Sequence, residues 1–116
     1  MPVYRVYQVK LTQEQSASIG DQNNVPQWYK DYIDTTVYPN AEKVNKAFYL
    51  YSHVGNITAK SLDEVYHIGN DPCLNENIEY VTNPSGRNMH NLTVGDVVID
   101  PEGNKYFVNF TGFGEL

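Results

Sequence analysis

Apolar residues recur along the chain in short runs that favour β-strands. Val3 to Leu11 is rich in valine and tyrosine and predicts a first strand. Its apolar residues fall on both faces, so we expect both faces to be covered. Phe48 to Val54 is a second β-prone run, bounded by Gly55 and Asn56, and we predict that it forms a central strand.

The segment from Val94 to Leu116 carries the clearest local signal. A run rich in valine ends at Ile99, and the turn sequence Pro101 to Asn104 follows, with proline early and a glycine available for positive φ. Tyr106 to Phe110 is β-prone and returns along the first run. This pattern predicts a C-terminal β-hairpin.

Helix signals lie between the predicted strands. Thr12 to Gln15 resembles a capping box and opens a predicted helix that ends at Gly20. Ser61 to Glu64 is a second capping box, and we predict Gly69 as the C-cap of its helix. Another short helix is predicted to start at Asn40 and to run through Val44.

One further helix is predicted to begin at Pro26, because proline suits a first helical turn. Its apolar residues follow the helical repeat and form one stripe, which we interpret as core. They are Trp28, Tyr29, Tyr32 and Ile33.

These elements together predict an α+β fold. We expect a small antiparallel sheet of about four strands, with short helices packed on it and a C-terminal β-hairpin. Leu74 to Met89 is the least regular stretch and is predicted to be a mobile loop. At 116 residues and 13.2 kDa, residues 1–116 are expected to form a single domain with one core.

The composition favours a cytosolic protein. Met1 to Leu11 lacks the layout of a secretory signal, and no apolar run approaches the roughly 20 residues of a membrane span. We therefore expect no membrane contact. The single cysteine, Cys73, fits a reducing compartment.

Charge is distributed unevenly along the chain. Residues 1–58 carry equal numbers of acidic and basic side chains, whereas residues 59–116 carry nine acidic and three basic ones and account for the whole net charge of -6. Phosphate backbones are bound by lysine and arginine, so this balance argues against direct nucleic-acid binding and for a partner protein with a basic surface. The alternative is that the acidic surface only keeps the protein soluble.

No group of residues predicts a catalytic mechanism, a metal site or a cofactor site. His53, His67 and His90 have no second ligand at helical spacing, and a nucleophilic role for Cys73 has no supporting motif. In a strand, Asp96 and Asp100 lie on the same face about 13 Å apart, which exceeds the separation of the acid and base in glycoside hydrolysis. We therefore expect a protein that is not an enzyme.

Four segments follow one another over about 65 residues: Tyr51 to Ile57, Ser61 to Tyr66 with Gly69-Asn70, His90 to Val98, and Tyr106 to Val108 before Gly112 to Leu116. In this order they resemble the YodL-like domain, which occurs in small bacterial, phage and mobile-element proteins. The opening strand resembles that of the family as well. The chain departs from the pattern in having Phe110-Thr111 where a serine or aspartate often precedes the terminal Gly-Phe, and in its long loop.

The resemblance implies a phage or mobile-element setting and an accessory role, with no activity or site residues assigned. The first hypothesis is a protein that binds and inhibits a host protein with a basic surface, such as a nucleic-acid-handling defence enzyme of the CRISPR or restriction type. The alternative is a structural or assembly module that self-associates through a sheet edge, so both a monomer and a homodimer stay open. The candidate partner contacts are Asp63, Glu64, Asp96, Asp100 and Glu102.

Overall fold

An antiparallel sheet of six strands organises the chain in the computed structural model, which describes residues 2–10, 27–37, 39–81, 89–110 and 112–116. The sheet order is β3-β2-β1-β4-β5-β6. The strands are β1 Val3–Val9, β2 Tyr51–Thr58, β3 Ile78–Tyr80, β4 Val97–Ile99, β5 Lys105–Asn109 and β6 Gly112–Glu115. The α-helices of these described residues are α1 Gln27–Thr36, α2 Ala41–Ala47 and α3 Leu62–Asn70, and Phe48–Leu50 and Pro72–Asn77 form 3-10 helices.

The α+β class and the C-terminal hairpin of β4 and β5 are confirmed, but the expected strand number of about four is too low. One additional strand, β3, lies in the segment predicted to be a loop, and its residues pair with β2. The other, β6, follows the hairpin and pairs with β5. Both are short edge strands. They form because a neighbouring strand offers backbone hydrogen-bond partners, which the local sequence does not reveal.

Strand β1 lies at the centre of the sheet because it pairs with both β2 and β4. Tyr4, Val6 and Gln8 alternate along it as buried residues, while Tyr7 on the opposite face is half-buried. The prediction that both faces of this strand are covered is therefore confirmed. Strand β2 starts three residues later than predicted, at Tyr51, and continues past Gly55 to Thr58.

Two apolar clusters cover the sheet. One contains Val6 and Val98 and includes Val65 and Ile68 of α3. The other contains Val97 and joins Val44 of α2 to residues of β4 and β5. Because neighbouring residues of a strand point to opposite faces, Val97 and Val98 place the two clusters on opposite sides of the sheet.

The predicted starts of two helices are confirmed by their capping bonds. The Ser61 hydroxyl accepts from the backbone N–H of Glu64 (3.2 Å) at the start of α3, and the Asn40 side chain accepts from that of Lys43 (2.8 Å) at the start of α2. Such caps typically stabilise a helix by about 1 kcal/mol each. Helix α3 continues one residue past the predicted cap Gly69 and ends at Asn70.

Helix α1 forms as predicted, but no residue of its apolar stripe is fully buried, and three of the four are half-buried. The buried residues of α1 are Asp31 and Thr35, whereas Ile33 is 36% exposed. Polar partners explain this orientation, because Asp31 accepts hydrogen bonds from the Tyr49 hydroxyl (2.7 Å) and from the side-chain amide of Gln27 (2.9 Å). The bond from Tyr49 and, to a smaller extent, the bond from Gln27 lower the pKa of Asp31.

Two sequence predictions concern residues that the structure does not describe. The helix predicted from Thr12 to Gly20 lies outside the described residues, as do residues 82–88 of the predicted loop. Within the described ranges, no helix combines the length and the apolar character that crossing a bilayer requires.

Candidate functional site

The structure separates the five predicted contact residues, and one of them is buried. Asp96 precedes β4 and is only 5% exposed, so its expected role as a surface contact is wrong. Its backbone continues the hairpin ladder, because the carbonyl of Asp96 accepts from the N–H of Val108 (2.8 Å). Its side chain points into the molecule, where it meets Gln8 of β1.

One local and one long-range hydrogen bond hold the Asp96 carboxylate. Its Oδ2 atom accepts from the backbone N–H of Thr93 (2.9 Å) and from the side-chain amide of Gln8 (3.0 Å). The same amide of Gln8 also bonds to the backbone carbonyl and N–H of His90 (2.9 and 3.1 Å). Burial, opposed by these bonds, raises the pKa of Asp96 to about 7. This network joins β1 to the segment before β4, which is a structural role.

Asp100 and Glu102 lie in the turn between β4 and β5. The Asp100 carboxylate accepts from the backbone N–H groups of Glu102 (3.0 Å) and Asn104 (2.8 Å) and so shapes the turn. Although burial opposes the effect, these bonds lower the pKa of Asp100. Glu102 is exposed. Asp100 is therefore partly engaged within the turn, and Glu102 presents its charge to solvent.

Asp63 and Glu64 lie in the first turn of α3. The Glu64 carboxylate accepts weakly from the backbone N–H of Lys60 (3.3 Å) and belongs to the helix cap. Asp63 is exposed and faces the end of the β5–β6 hairpin. Of these two acids, Asp63 is the one that borders an open surface.

A groove of about 440 Å³ lies between α3 and the turn that joins β5 to β6. We call it the aromatic groove, and its lining residues are Asp63, Tyr66, Asn109, Phe110, Gly112 and Phe113. Phe110 is 66% exposed and Tyr66 is 44% exposed. The ring of Tyr66 meets that of Phe113 edge to face, with centroids 6.4 Å apart, so the helix and the strand share one aromatic wall.

Acidic side chains continue from the aromatic groove along the same face of the sheet. Glu115 is two residues from Phe113 in β6 and therefore shares its face, opposite Tyr106 of β5. Burial and the nearby carboxylates of Asp100 and Glu115 raise the pKa of Tyr106. Burial is the largest cause of this shift, and the carboxylates add to it because they lie near the Tyr106 hydroxyl. Asp63 thus borders the groove, while Glu115 and Asp100 lie near Tyr106 on the face that carries Phe113.

The residues considered for metal or nucleophilic chemistry lie at separate positions. Cys73 is exposed in the 3-10 helix after α3. The ring of His53 stacks on Tyr7 and hydrogen-bonds Asn56 (2.7 Å), and that of His90 bonds the backbone carbonyl of Asn91 (2.7 Å). In the part of the chain that the structure describes, no three histidine, cysteine, aspartate or glutamate side chains are grouped as potential metal ligands.

The aromatic residues of the groove do not stand out in the sequence as a binding site, and the predicted contacts were all acidic. One sequence signal was available, the position of Phe110 directly after β5 and shortly before a glycine. That glycine, Gly112, has a φ of 141°. A large apolar residue in a turn is not placed by strand periodicity. Its proximity to α3 depends on the order of β5 and β6 in the sheet.

The comparisons with known proteins add no relative to this description. The chain matches no family model, no curated protein and no solved structure. The resemblance to the YodL-like domain accordingly stays a prediction.

Proposed function

We propose that the protein binds another protein that presents a basic surface, and that the aromatic groove with its flanking acids is the binding site. The observation that carries this proposal is the exposure of Phe110 and Tyr66 around one groove bordered by Asp63. Large apolar side chains exposed together, rather than singly, are typical of interaction sites. Tyrosine and phenylalanine are also enriched at the centres of protein interfaces.

The surrounding charge supports a basic partner. Asp63 lies at one end of the surface, Glu115 borders Phe113, and Asp100 and Glu102 lie at the far turn of the hairpin. Carboxylates around an apolar centre attract a complementary surface and hold it in register, and they contribute more to association rate and specificity than to affinity. Binding should therefore weaken as the salt concentration rises.

Substitutions in the groove test this proposal with matched controls. A binding partner is captured from a bacterial lysate, purified, and titrated against the protein and its variants to obtain Kd. Asp63→Lys is expected to weaken binding by about tenfold, because it places a positive charge against a basic surface. Tyr66→Ala should weaken it by about tenfold or more, since it removes an interface aromatic ring.

The controls repeat each change at an equivalent position away from the groove. Glu42→Lys reverses another exposed acid in the first turn of a helix, α2, and Tyr80→Ala removes another exposed tyrosine, 53% exposed on β3. Both controls should bind like the wild type, and circular dichroism should show every variant folded. Equal affinity for the wild type and both groove variants would contradict the proposal.

The narrower hypothesis concerns what binding achieves. We propose inhibition of a host defence enzyme by a phage or mobile-element protein, which is the setting that the YodL-like resemblance implies. An acidic surface that occupies a basic, nucleic-acid-handling groove would act as a competitor of the nucleic acid. Self-association through a sheet edge is the second candidate function, and it is favoured by the two edge strands, β3 and β6, of the described sheet.

A further inference from the structure

Strand β6 presents backbone groups at the edge of the sheet, and among the described strands only β5 pairs with it. The N–H of Leu116 donates to the carbonyl of Lys105 (3.0 Å), and Phe107 lies opposite Gly114. Antiparallel pairing alternates inward and outward bonding along a strand. The backbone N–H and carbonyl groups of Phe113 and Glu115 therefore point away from β5.

Packing on both faces holds β6 in place. On one face, the Phe107 ring lies over Gly114, where an added Cβ would come within 2.5 Å of it. On the other face, Phe113 packs against Tyr66 of α3. An edge that is held in an extended conformation before binding loses little entropy when it accepts another strand.

The aromatic groove lies directly beside this edge, since Phe113 belongs to both. A strand added to β6 would direct alternate side chains toward the face that carries Phe113 and Glu115. The side chain next to Phe113 would enter the groove, and the side chain two positions away would lie next to Glu115. The first position suits an apolar residue and the second suits a lysine or arginine.

The other edge of the described sheet offers a smaller binding surface. Strand β3 has three residues and borders a hollow of about 260 Å³, lined mainly by polar residues that include Asn56, Thr58 and Glu76. Its Glu79 is already hydrogen-bonded to Asn56 (3.0 Å). The hollows beside the three-residue β3 are small, about 140 and 260 Å³, whereas the four-residue β6 borders a groove of about 440 Å³ and carries a carboxylate on the same face.

We infer that the partner contributes an extended segment that pairs with β6 as an added strand, with an apolar residue in the aromatic groove and a basic residue two positions away beside Glu115. This inference rests on the proposed function and specifies how the same surface binds. Backbone hydrogen bonds would supply affinity, and the two side-chain positions would supply specificity.

Selection of peptides tests the inference directly. A displayed library of random heptapeptides is selected against the protein, and an enriched peptide is synthesised. We expect enrichment of an apolar residue and a lysine or arginine two positions apart. In the complex, the amide protons of Phe113 and Glu115 should become protected from hydrogen exchange, while those of Ile78 and Tyr80 on β3 should not change.

Removal of the backbone N–H of Glu115, which points away from β5, tests the strand pairing more directly than peptide selection. Glu115→Pro deletes that donor and the charge, whereas the matched variant Glu115→Gln deletes the charge alone. Glu115→Pro should weaken peptide binding about tenfold beyond Glu115→Gln, which is the effect expected from one lost backbone hydrogen bond in an interface. Methylation of the peptide nitrogens, one at a time, should weaken binding at alternate positions and keeps the test independent of how well the proline variant folds.

The possible failures are distinguishable. If Asp63→Lys and Tyr66→Ala abolish peptide binding but the proline and N-methyl changes have no effect, strand addition is overturned while binding by the groove stands. If sedimentation shows a dimer that Glu115→Pro dissociates, a second copy occupies the edge and the inference is overturned in favour of self-association. If selected peptides bind equally well to all groove and edge variants, both the inference and the proposed function are overturned.

Discussion

Asp96→Asn is expected to stabilise the protein at pH 8 by on the order of 3 kcal/mol and to remove most of the loss of stability between about pH 4 and pH 7. The reason is the burial of Asp96, which raises the pKa of its carboxyl from 3.8 to about 7. Asparagine has nearly the same shape, and its side-chain oxygen can accept the hydrogen bonds from Thr93 and Gln8. The variant thus removes the charge and keeps the two bonds accepted by Oδ2, while an NH2 group replaces Oδ1.

The sign follows from the protons bound in each state. Between about pH 4 and pH 7 the folded protein holds a proton on Asp96 that the unfolded chain has released, so the free energy of unfolding falls as pH rises. Below about pH 4 both states are protonated, and above about pH 7 both are ionised, so the contribution of Asp96 is constant outside this window. Denaturant unfolding of the wild type and the variant, measured at each pH, isolates this contribution as their difference.

Asp100→Asn is the control with the opposite sign. Although burial opposes them, the hydrogen bonds in the turn lower the pKa of Asp100, so its charge favours the folded state. Its contribution is present above the unfolded pKa and is lost as pH falls through the lower folded pKa. Asp100→Asn should therefore reduce stability at neutral pH.

A difference in the free energy of unfolding between the wild type and Asp96→Asn that stays level from pH 4 to pH 8 would show that Asp96 does not titrate as a buried group.

Gly95→Ala is expected to destabilise the fold by about 4 kcal/mol, through backbone strain and steric overlap together. Gly95 has a φ of 94°, which side chains rarely adopt, and an added Cβ would lie 2.3 Å from the backbone carbonyl oxygen of Thr35 in α1. The glycine backbone cannot shift freely, because its N–H donates to the carbonyl of Val108 (2.8 Å) and its own carbonyl accepts from the Tyr51 hydroxyl. Denaturant unfolding at pH 7 measures the loss.

Gly103→Ala separates the two causes. Gly103 has nearly the same φ, 91°, but an added Cβ there meets no atom within 4 Å. Only the cost of the left-handed conformation applies, which is about 1–2 kcal/mol. The difference between the two variants therefore measures the close approach of α1 to the segment before β4. Equal losses at the two glycines would mean that α1 does not pack against Gly95.

The candidate site was only partly predictable from the chain. Charge counting placed the excess of acidic side chains in the C-terminal half, and Asp63 and Glu102 are exposed as expected. The groove itself could not be predicted, because Tyr66 and Phe110 are 44 residues apart and meet only when α3 packs beside β6. Asp96 and Asp100 are the same residue type only four positions apart, yet one is buried and the other caps a turn.

What the sequence by itself determined is local. The caps at Asn40 and Ser61, the alternation in β1 and the turn between β4 and β5 depend on residues a few positions apart, so their hydrogen bonds and periodicity are legible in the chain. The tertiary structure alone decided which faces are buried and which edges pair. Helix α1 buries Asp31 because Tyr49 supplies a partner, and Asp96 is buried because Gln8 does, although 88 positions separate them. A buried polar group is tolerated only where a distant partner satisfies it, and that partner exists only in the folded chain.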